Sequence, residues 1–257
     1  VLATNEALVP QIQAMHNVSE NLARQAAGLL LGSFFLCAHS AKSEDRSIGI
    51  HLERKNPPER MLAQSKADGE GRISIGEHDP LLEVATLLEE GSILRVTRWQ
   101  ENRKLAFTSL VQVRHHDLGR SLDHFIQQSD QIMSSSRIVL LPSSGIFFEA
   151  LPEATAADHG AILDLAFELK PDVLLGPLEE GKSWQIKSAF VFVPLHSGRF
   201  QLTCDCSADK VHSLVRLMGA NEAAQLLSER GKIEIKCEFC QKKYCLSQED
   251  IASIFQS

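Results

Sequence analysis

The pattern C-x-C, thirty residues, then C-x-x-C constrains this chain more than any other feature. Cys204 and Cys206 flank a single aspartate, and Cys237 and Cys240 enclose a Glu-Phe pair. Sulfurs this close in sequence serve one metal ion or oxidise onto one another. Four thiolates make a closed tetrahedral site, and zinc is the ion that suits such a site best. The flanking segment, 201–257, reads as three short helices around a strand–knuckle–strand unit. Ser207 is a helix N-cap, and Val211, Leu214, Val215 and Met218 are assigned to one apolar face. Gly219 ends that helix, Asn221 opens the next and Gly231 ends it. "KIEIKCEFCQKKYCLS" carries the strands and the knuckle. "SQED", Ser247 to Asp250, is a capping box that opens a last helix with Ile251, Ile254 and Phe255. A unit this small buries little apolar surface and needs a staple. Zinc would supply on the order of 10 kcal/mol or more.

The remainder divides into a long N-terminal region, 1–148, and a connector, 149–200. In the first, "AAGLLLGSFFLCAHSA" (Ala26 to Ala41) carries no formal charge and contains Gly28 and Gly32 as GxxxG. It falls short of the ~20 residues that span a bilayer. It also follows the acidic lead-in "SENLARQ" and not a basic one. It is therefore expected to be a buried core helix with Ser19 as N-cap. "RSIGIHLE" alternates as a half-buried strand, and "ERMLAQSK" and "RISIGE" are its expected neighbours. "DPLLEVATLLEEG" is assigned to a helix closed by Gly91. "SILRVTRWQENRKLAFTSLVQV" is a hairpin turning at Glu101–Asn102. "SLDHFIQQSDQI" places Leu122, Phe125 and Ile126 at helical spacing, and "RIVLLPSSGIFFEALP" returns to strand. The order is α+β: an N-terminal mixed sheet-and-helix domain, a metastable linker and a small C-terminal four-cysteine zinc-binding module (201–257).

The net charge of −7 is concentrated in the connector. Glu149, Glu153, Asp158, Asp164, Glu168, Asp172, Glu179 and Glu180 face a single cation, Lys170, so residues 149–180 alone net −7. A helix-like "HGAILDLAFELK" and a strand-like "SAFVFVPL" are separated there by Pro171, Gly176, Pro177 and Gly181. Phe167, Leu174, Leu175, Trp184, Phe190 and Phe192 would become sticky if this segment came undocked. The charge disfavours nucleic acid as a partner. No GxGxxG and no P-loop is present. Six cysteines are too few for a disulfide scaffold in a chain this long, and their clustering fits a reducing, cytoplasmic compartment.

The tail "CDCSADKVHSLVRLMGANEAAQLLSERGKIEIKCEFCQKKYCLSQEDI" resembles the redox-switch domain of the heat-shock protein 33 family of holdase chaperones. "CDCS", "LMGANEA" and "CEFCQKKY" carry the likeness over 202–255, and "DLGRSLDHFIQQSDQI" carries a looser one. The resemblance implies a binding protein and not an enzyme. Reduced, it would hold one Zn2+ on Cys204, Cys206, Cys237 and Cys240 and be inactive. Oxidant would convert the four thiolates into two disulfides and release the zinc. The tail and linker would unfold and capture unfolding client proteins without ATP. A homodimer of the oxidised form is compatible with this scheme, and neither a membrane nor a nucleic-acid partner is implied. Neighbours in sequence meet at the highest effective concentration, so Cys204–Cys206 and Cys237–Cys240 are the expected bonds. The Cys204–Cys206 ring is very small and readily reduced, which would make the switch reversible. Lys210, Lys236, Lys242 and Lys243 are expected to moderate the −2 formal charge of zinc with four thiolates.

Two rival readings remain. One is a constitutive zinc-stapled protein or RNA interaction module without a redox switch; the tail lacks a basic, aromatic face for RNA. The other is a thiol oxidoreductase using Cys237 and Cys240, for which no thioredoxin-like βαβ context is evident. Cys245 reads as a buried strand residue or a spare thiol, and Cys37 as inert core. His212 is a weak substitute ligand, and His115–His116 read as surface or strand residues.

Overall fold

The computed structural model describes residues 2–40, 46–54, 59–76, 91–100, 105–113, 117–129, 136–140, 143–149, 153–168, 184–186, 190–192 and 197–256. The chain divides into two compact units, Val1–Thr203 and Cys204–Ser257. The segment 149–200, read from sequence as a separate connector, falls within the first unit.

In the first unit, strand β1 (Leu2–Thr4) precedes helices α1 (Leu8–His16) and α2 (Glu20–Ser40). The Ser19 hydroxyl accepts the Leu22 N–H at 3.3 Å, the cap expected from sequence. The charge-free run is the core of the unit, with Leu29, Leu30, Leu31, Phe35, Leu36 and Cys37 all buried. Among the described residues no helix is long and apolar enough to cross a membrane. Strands β2 (Arg46–Arg54), β3 (Glu59–Lys66), β4 (Glu70–Ile75), β5 (Ile93–Gln100) and β6 (Leu105–Gln112) form antiparallel neighbours in the order β4-β3-β2-β5-β6. Alternation puts Ile48, Ile50 and Leu52 of β2 on the face that meets α2. Gln100 pairs with Leu105, so the expected β5–β6 hairpin is present, while its turn residues lie outside the described set. The helix expected from "DPLLEVATLLEE" also lies outside it.

Helix α3 (Leu118–Ser129) buries Leu122, Phe125 and Ile126 as its spacing predicts. A Cβ on Gly32 would come within 2.5 Å of Leu122 Cδ1, so the small residue lets α2 and α3 approach closely. Buried Asp123 accepts the Ile138 N–H at 3.0 Å and ties α3 to strand β7 (Ser136–Leu140). Strand β8 (Ser144–Glu149) pairs antiparallel with both β7 and β1. Helix α4 (Ala156–Glu168) opens on a reciprocal box not anticipated from sequence: the Thr155 hydroxyl and N–H both donate to Asp158 Oδ2, at 2.7 and 2.8 Å. Strands β9 (Trp184–Ile186) and β10 (Phe190–Phe192) pair with each other. The apolar groups Leu174 and Leu175 and the breakers Pro171, Gly176, Pro177 and Gly181 lie outside the described residues.

Two short strands then return to the body. β11 (Ser197–Arg199) runs parallel to β1, and β12 (Gln201–Leu202) runs parallel to β4. Between them Phe200 is 1% exposed and meets Phe34 edge-on at 5.7 Å. The Thr203 N–H donates to Gly71 O at 2.8 Å, one residue before the second unit begins.

The second unit holds helices α5 (Ala208–Met218), α6 (Ala220–Arg230) and α7 (Gln248–Gln256), with strands β13 (Ile233–Lys236) and β14 (Lys243–Leu246) paired antiparallel. Ser207 caps α5, Gly219 and Gly231 end the first two helices, and Ser247 and Asp250 bond reciprocally. Its core is Val211, Val215, Ala223, Ile233, Leu246, Ile251 and Ile254. Two expected core positions face outward. Leu214 is 55% exposed and Phe255 36% exposed. Each lies one residue, about a 100° rotation, from a buried neighbour (Val215 and Ile254), and the inward stripe is too narrow to include both.

Candidate metal centre

Local chemistry brings the two cysteine pairs into position. Cys204 and Cys206 occupy the extended segment that ends where the Ser207 hydroxyl accepts the Lys210 N–H at 3.3 Å. Cys237 and Cys240 lie in the knuckle joining β13 to β14. There the Cys237 N–H donates to Lys242 O and the Gln241 N–H to Cys237 O, both at 2.9 Å. Gln241 takes the left-handed conformation, φ 62°, and its side-chain amide donates to Glu238 O at 2.8 Å.

The four sulfurs lie within 4.8 Å of one another. Cys204 and Cys237 are 3.7 Å apart, and Cys206 and Cys240 are 3.4 Å apart. A tetrahedron with metal–sulfur bonds of about 2.3 Å has edges of about 3.8 Å. The cluster is therefore of the size such an ion requires, and its all-sulfur donor set suits zinc. His212 is not among these groups; it lies near enough to Asp250 to act on that carboxylate.

The sulfurs are not equivalent. Burial pushes the Cys204 thiol up to about 12, against the N–H of Cys206, which donates to it. Burial likewise raises Cys240, against the N–H of Lys242. Cys206 goes the other way, to about 7, because the Tyr244 hydroxyl donates to its sulfur at 3.2 Å. The same bond raises the Tyr244 hydroxyl to about 12. Metal binding by thiolates displaces whatever protons these sulfurs carry, so it is coupled to pH.

Of the lysines expected to moderate the charge, Lys210 is paired with Asp205, and Lys243 with Glu234 at 3.2 Å. Lys242 lies over the Tyr244 ring, 5.0 Å from its centroid. Tyr244 itself was not singled out from sequence. The available signal was that it is the chain's one tyrosine, four residues beyond Cys240.

Cys37 is fully buried in α2, as expected. Cys245 is exposed and not buried, its sulfur 3.8 Å from Glu234 Oε2. Strand alternation explains the correction: Tyr244 and Leu246 turn inward, so Cys245 turns out. His115 and His116 lie outside the described residues.

Known proteins resemble this chain in both sequence and structure. The model of the family described as "Hsp33 protein" matches residues 1–247. A 33 kDa chaperonin of Deinococcus radiodurans is 22% identical, covering 96% of this chain and 90% of its own. One from Neisseria meningitidis is 24% identical, covering 90% and 79%. The solved 33 kDa chaperonin (heat shock protein 33 homolog) of Thermotoga maritima superposes with a TM-score of 0.72 at 20% identity, covering 97% of this chain and 90% of that one.

Proposed function

From the premise that the chain belongs to the Hsp33 protein family, we propose that it is an oxidation-activated, ATP-independent holdase chaperone of the cytoplasm. The observation that carries this reading is the gathering of four sulfurs, from motifs thirty residues apart, into one cluster. The chaperonin names of the relatives support it further.

In the reduced state Cys204, Cys206, Cys237 and Cys240 would hold one zinc ion. When bound, zinc cross-links the two halves of the tail and keeps all four sulfurs deprotonated. The rest of the scheme belongs to the chain. A thiolate attacks the O–O bond of a peroxide, giving a sulfenic acid and water once a proton is taken up. A neighbouring thiolate displaces the sulfenic oxygen, which leaves as a second water with another proton. Each disulfide thus takes two electrons from two sulfurs and consumes one peroxide and two protons. Two such bonds leave no thiolate to hold an ion. The seven-residue core of the second unit then has to hold that unit unaided, which is too little for its length. Unfolding of the tail, followed by loosening of 149–200, exposes apolar surface that binds unfolding clients.

The test is a peroxide titration of zinc-loaded protein that follows zinc release, light scattering of a heat-unfolding client and the protein's own mass together. Zinc release, client protection and any dimerisation should rise in step and reverse with reductant and zinc. Equal client protection before oxidation would instead mean a constitutive zinc-stapled module. For the linker, a Trp99→Phe protein leaves Trp184 as its remaining tryptophan, because the chain has two. Its emission should shift red on activation, and an unchanged Trp184 would place the moving surface elsewhere.

A further inference from the structure

Tyr244 connects the two halves of the cysteine cluster through a bond that is independent of any metal. Strand β14 alternates, so Tyr244 turns inward with Leu246 and its ring packs against the core of the second unit. Its hydroxyl reaches out of the hairpin to Cys206, thirty-eight residues earlier, and donates to the sulfur at 3.2 Å. The donors to two of the other sulfurs are backbone groups, the N–H of Cys206 to Cys204 and the N–H of Lys242 to Cys240. Those donors are fixed by the fold, whereas the one on Cys206 depends on a side chain. The Lys242 ammonium over the phenol ring draws electron density from it and makes the hydroxyl a better donor. Lys210 and Lys243, by contrast, are paired with carboxylates.

A metal bound by four thiolates carries a formal −2 charge, and each donor to a sulfur disperses part of it. Groups in this outer position commonly set metal affinity and ligand electronics by a large factor. Resting on the reading of the cluster as a zinc site, we propose that Tyr244 is a positioning residue for it. Its hydroxyl aims and partly neutralises the Cys206 thiolate, and so determines how firmly the reduced tail retains its metal. The residue acts through Cys206.

The chain's single tyrosine makes the test direct. Growth on 3-fluorotyrosine alters this one position, and the electron-withdrawing fluorine strengthens the hydroxyl as a donor. Tyr244→Phe removes the hydroxyl and keeps the ring. Each protein, reduced and full length, is loaded with cobalt(II) to read the sulfur-to-metal charge-transfer band. Each is then loaded with zinc to read the rate of transfer to a chromogenic chelator. The Phe variant should move the band to longer wavelength, because its sulfur is more electron-rich, and lose zinc about tenfold faster. The fluorotyrosine protein should move both in the opposite direction, which a loss of packing would not produce. If Tyr244→Phe fails to fold, the fluorotyrosine protein decides alone. Bands at the same wavelength in every folded protein, with equal rates of zinc loss, would overturn the role of Tyr244 while leaving the zinc site standing. A wild-type protein that binds neither ion would overturn the zinc reading itself.

Discussion

A glycine remote in function from the sulfurs should control the zinc affinity. Gly219, between α5 and α6, has φ 94° and ψ 154°, a region open to glycine and to almost nothing else. A Cβ there would meet nothing within 4 Å, so Gly219→Ala introduces backbone strain and no clash. Strain of this kind costs roughly 1–3 kcal/mol. If the metal-free tail is unfolded, metal binding and folding are one equilibrium, and the strain appears in full in the apparent affinity. A central figure of about 2 kcal/mol then weakens zinc binding about 30-fold, at tenfold per ~1.4 kcal/mol. Gly91 provides the control. It has the same φ of 94° and equally empty surroundings, but it belongs to the first unit. Gly91→Ala should lower the melting temperature of that unit and leave zinc affinity unchanged. Both variants are measured reduced, by competition with a chelator of known affinity, beside thermal melts followed by circular dichroism. Wild-type affinity in Gly219→Ala would refute the reasoning: the tail would then be folded without its ion, and zinc would not be its staple.

Replacing any one of Cys204, Cys206, Cys237 or Cys240 by Ser should sharply reduce zinc content, and full retention in Cys204→Ser, read by metal analysis, would reject the assignment. Peptide mapping after peroxide should find Cys204–Cys206 and Cys237–Cys240. Closing the four-residue Cys237–Cys240 loop is favoured over a loop of some thirty-four residues by about 2 kcal/mol of chain entropy. Mainly crossed pairs would mean that the bonds form in the folded cluster, before the tail opens. The Asp158 carboxyl is held below its usual range by the Thr155 hydroxyl and N–H. A depressed folded pKa stabilises above the unfolded value and is lost as pH falls through the folded one. The first turn of α4, followed by NMR, should therefore persist from neutrality to well into the acid range. In Asp158→Asn that acid transition should disappear, and fraying of the wild-type turn already near neutrality would refute the assignment.

The tail was legible in sequence because its signals are local. Ser207, Gly219, Gly231 and the Ser247–Asp250 box each act within a turn of the chain, and each is found where its chemistry requires it. Helix α2 was legible because sixteen residues without charge can only be covered from most sides. The errors came where a correct pattern was read one position too wide. Leu214 and Phe255 adjoin buried residues without sharing their face. Cys245 could have been placed outward from Tyr244 and Leu246 by alternation alone. The Thr155–Asp158 box carried its signature too, a threonine and a carboxylate three residues apart. The Tyr244–Cys206 bond had no such signal, because it depends on how a hairpin meets a segment thirty-eight residues away.

The pairings that no local pattern announces are those that divide the molecule. β11 and β12 are three and two residues long, and each joins parallel to a strand far earlier in the chain, β1 and β4. Parallel partners so distant in sequence leave no turn signal. Yet these strands and Phe200 hold the chain to the first unit up to Thr203, and the first cysteine is the next residue. Among the described residues, no strand pairing of the first unit involves a residue from Cys204 onward. Loosening the segment ahead of it is a different event. It has to pull β11 from β1, β12 from β4 and a buried phenylalanine from its contact with Phe34. Exposing that ring alone costs roughly 2–3 kcal/mol. In the proposed scheme disulfide formation would act on the tail, whereas these contacts belong to the first unit. The two openings would then be separable in energy, because the pairings of β11 and β12 and the Phe200–Phe34 contact belong to the first unit and the four cysteines to the second.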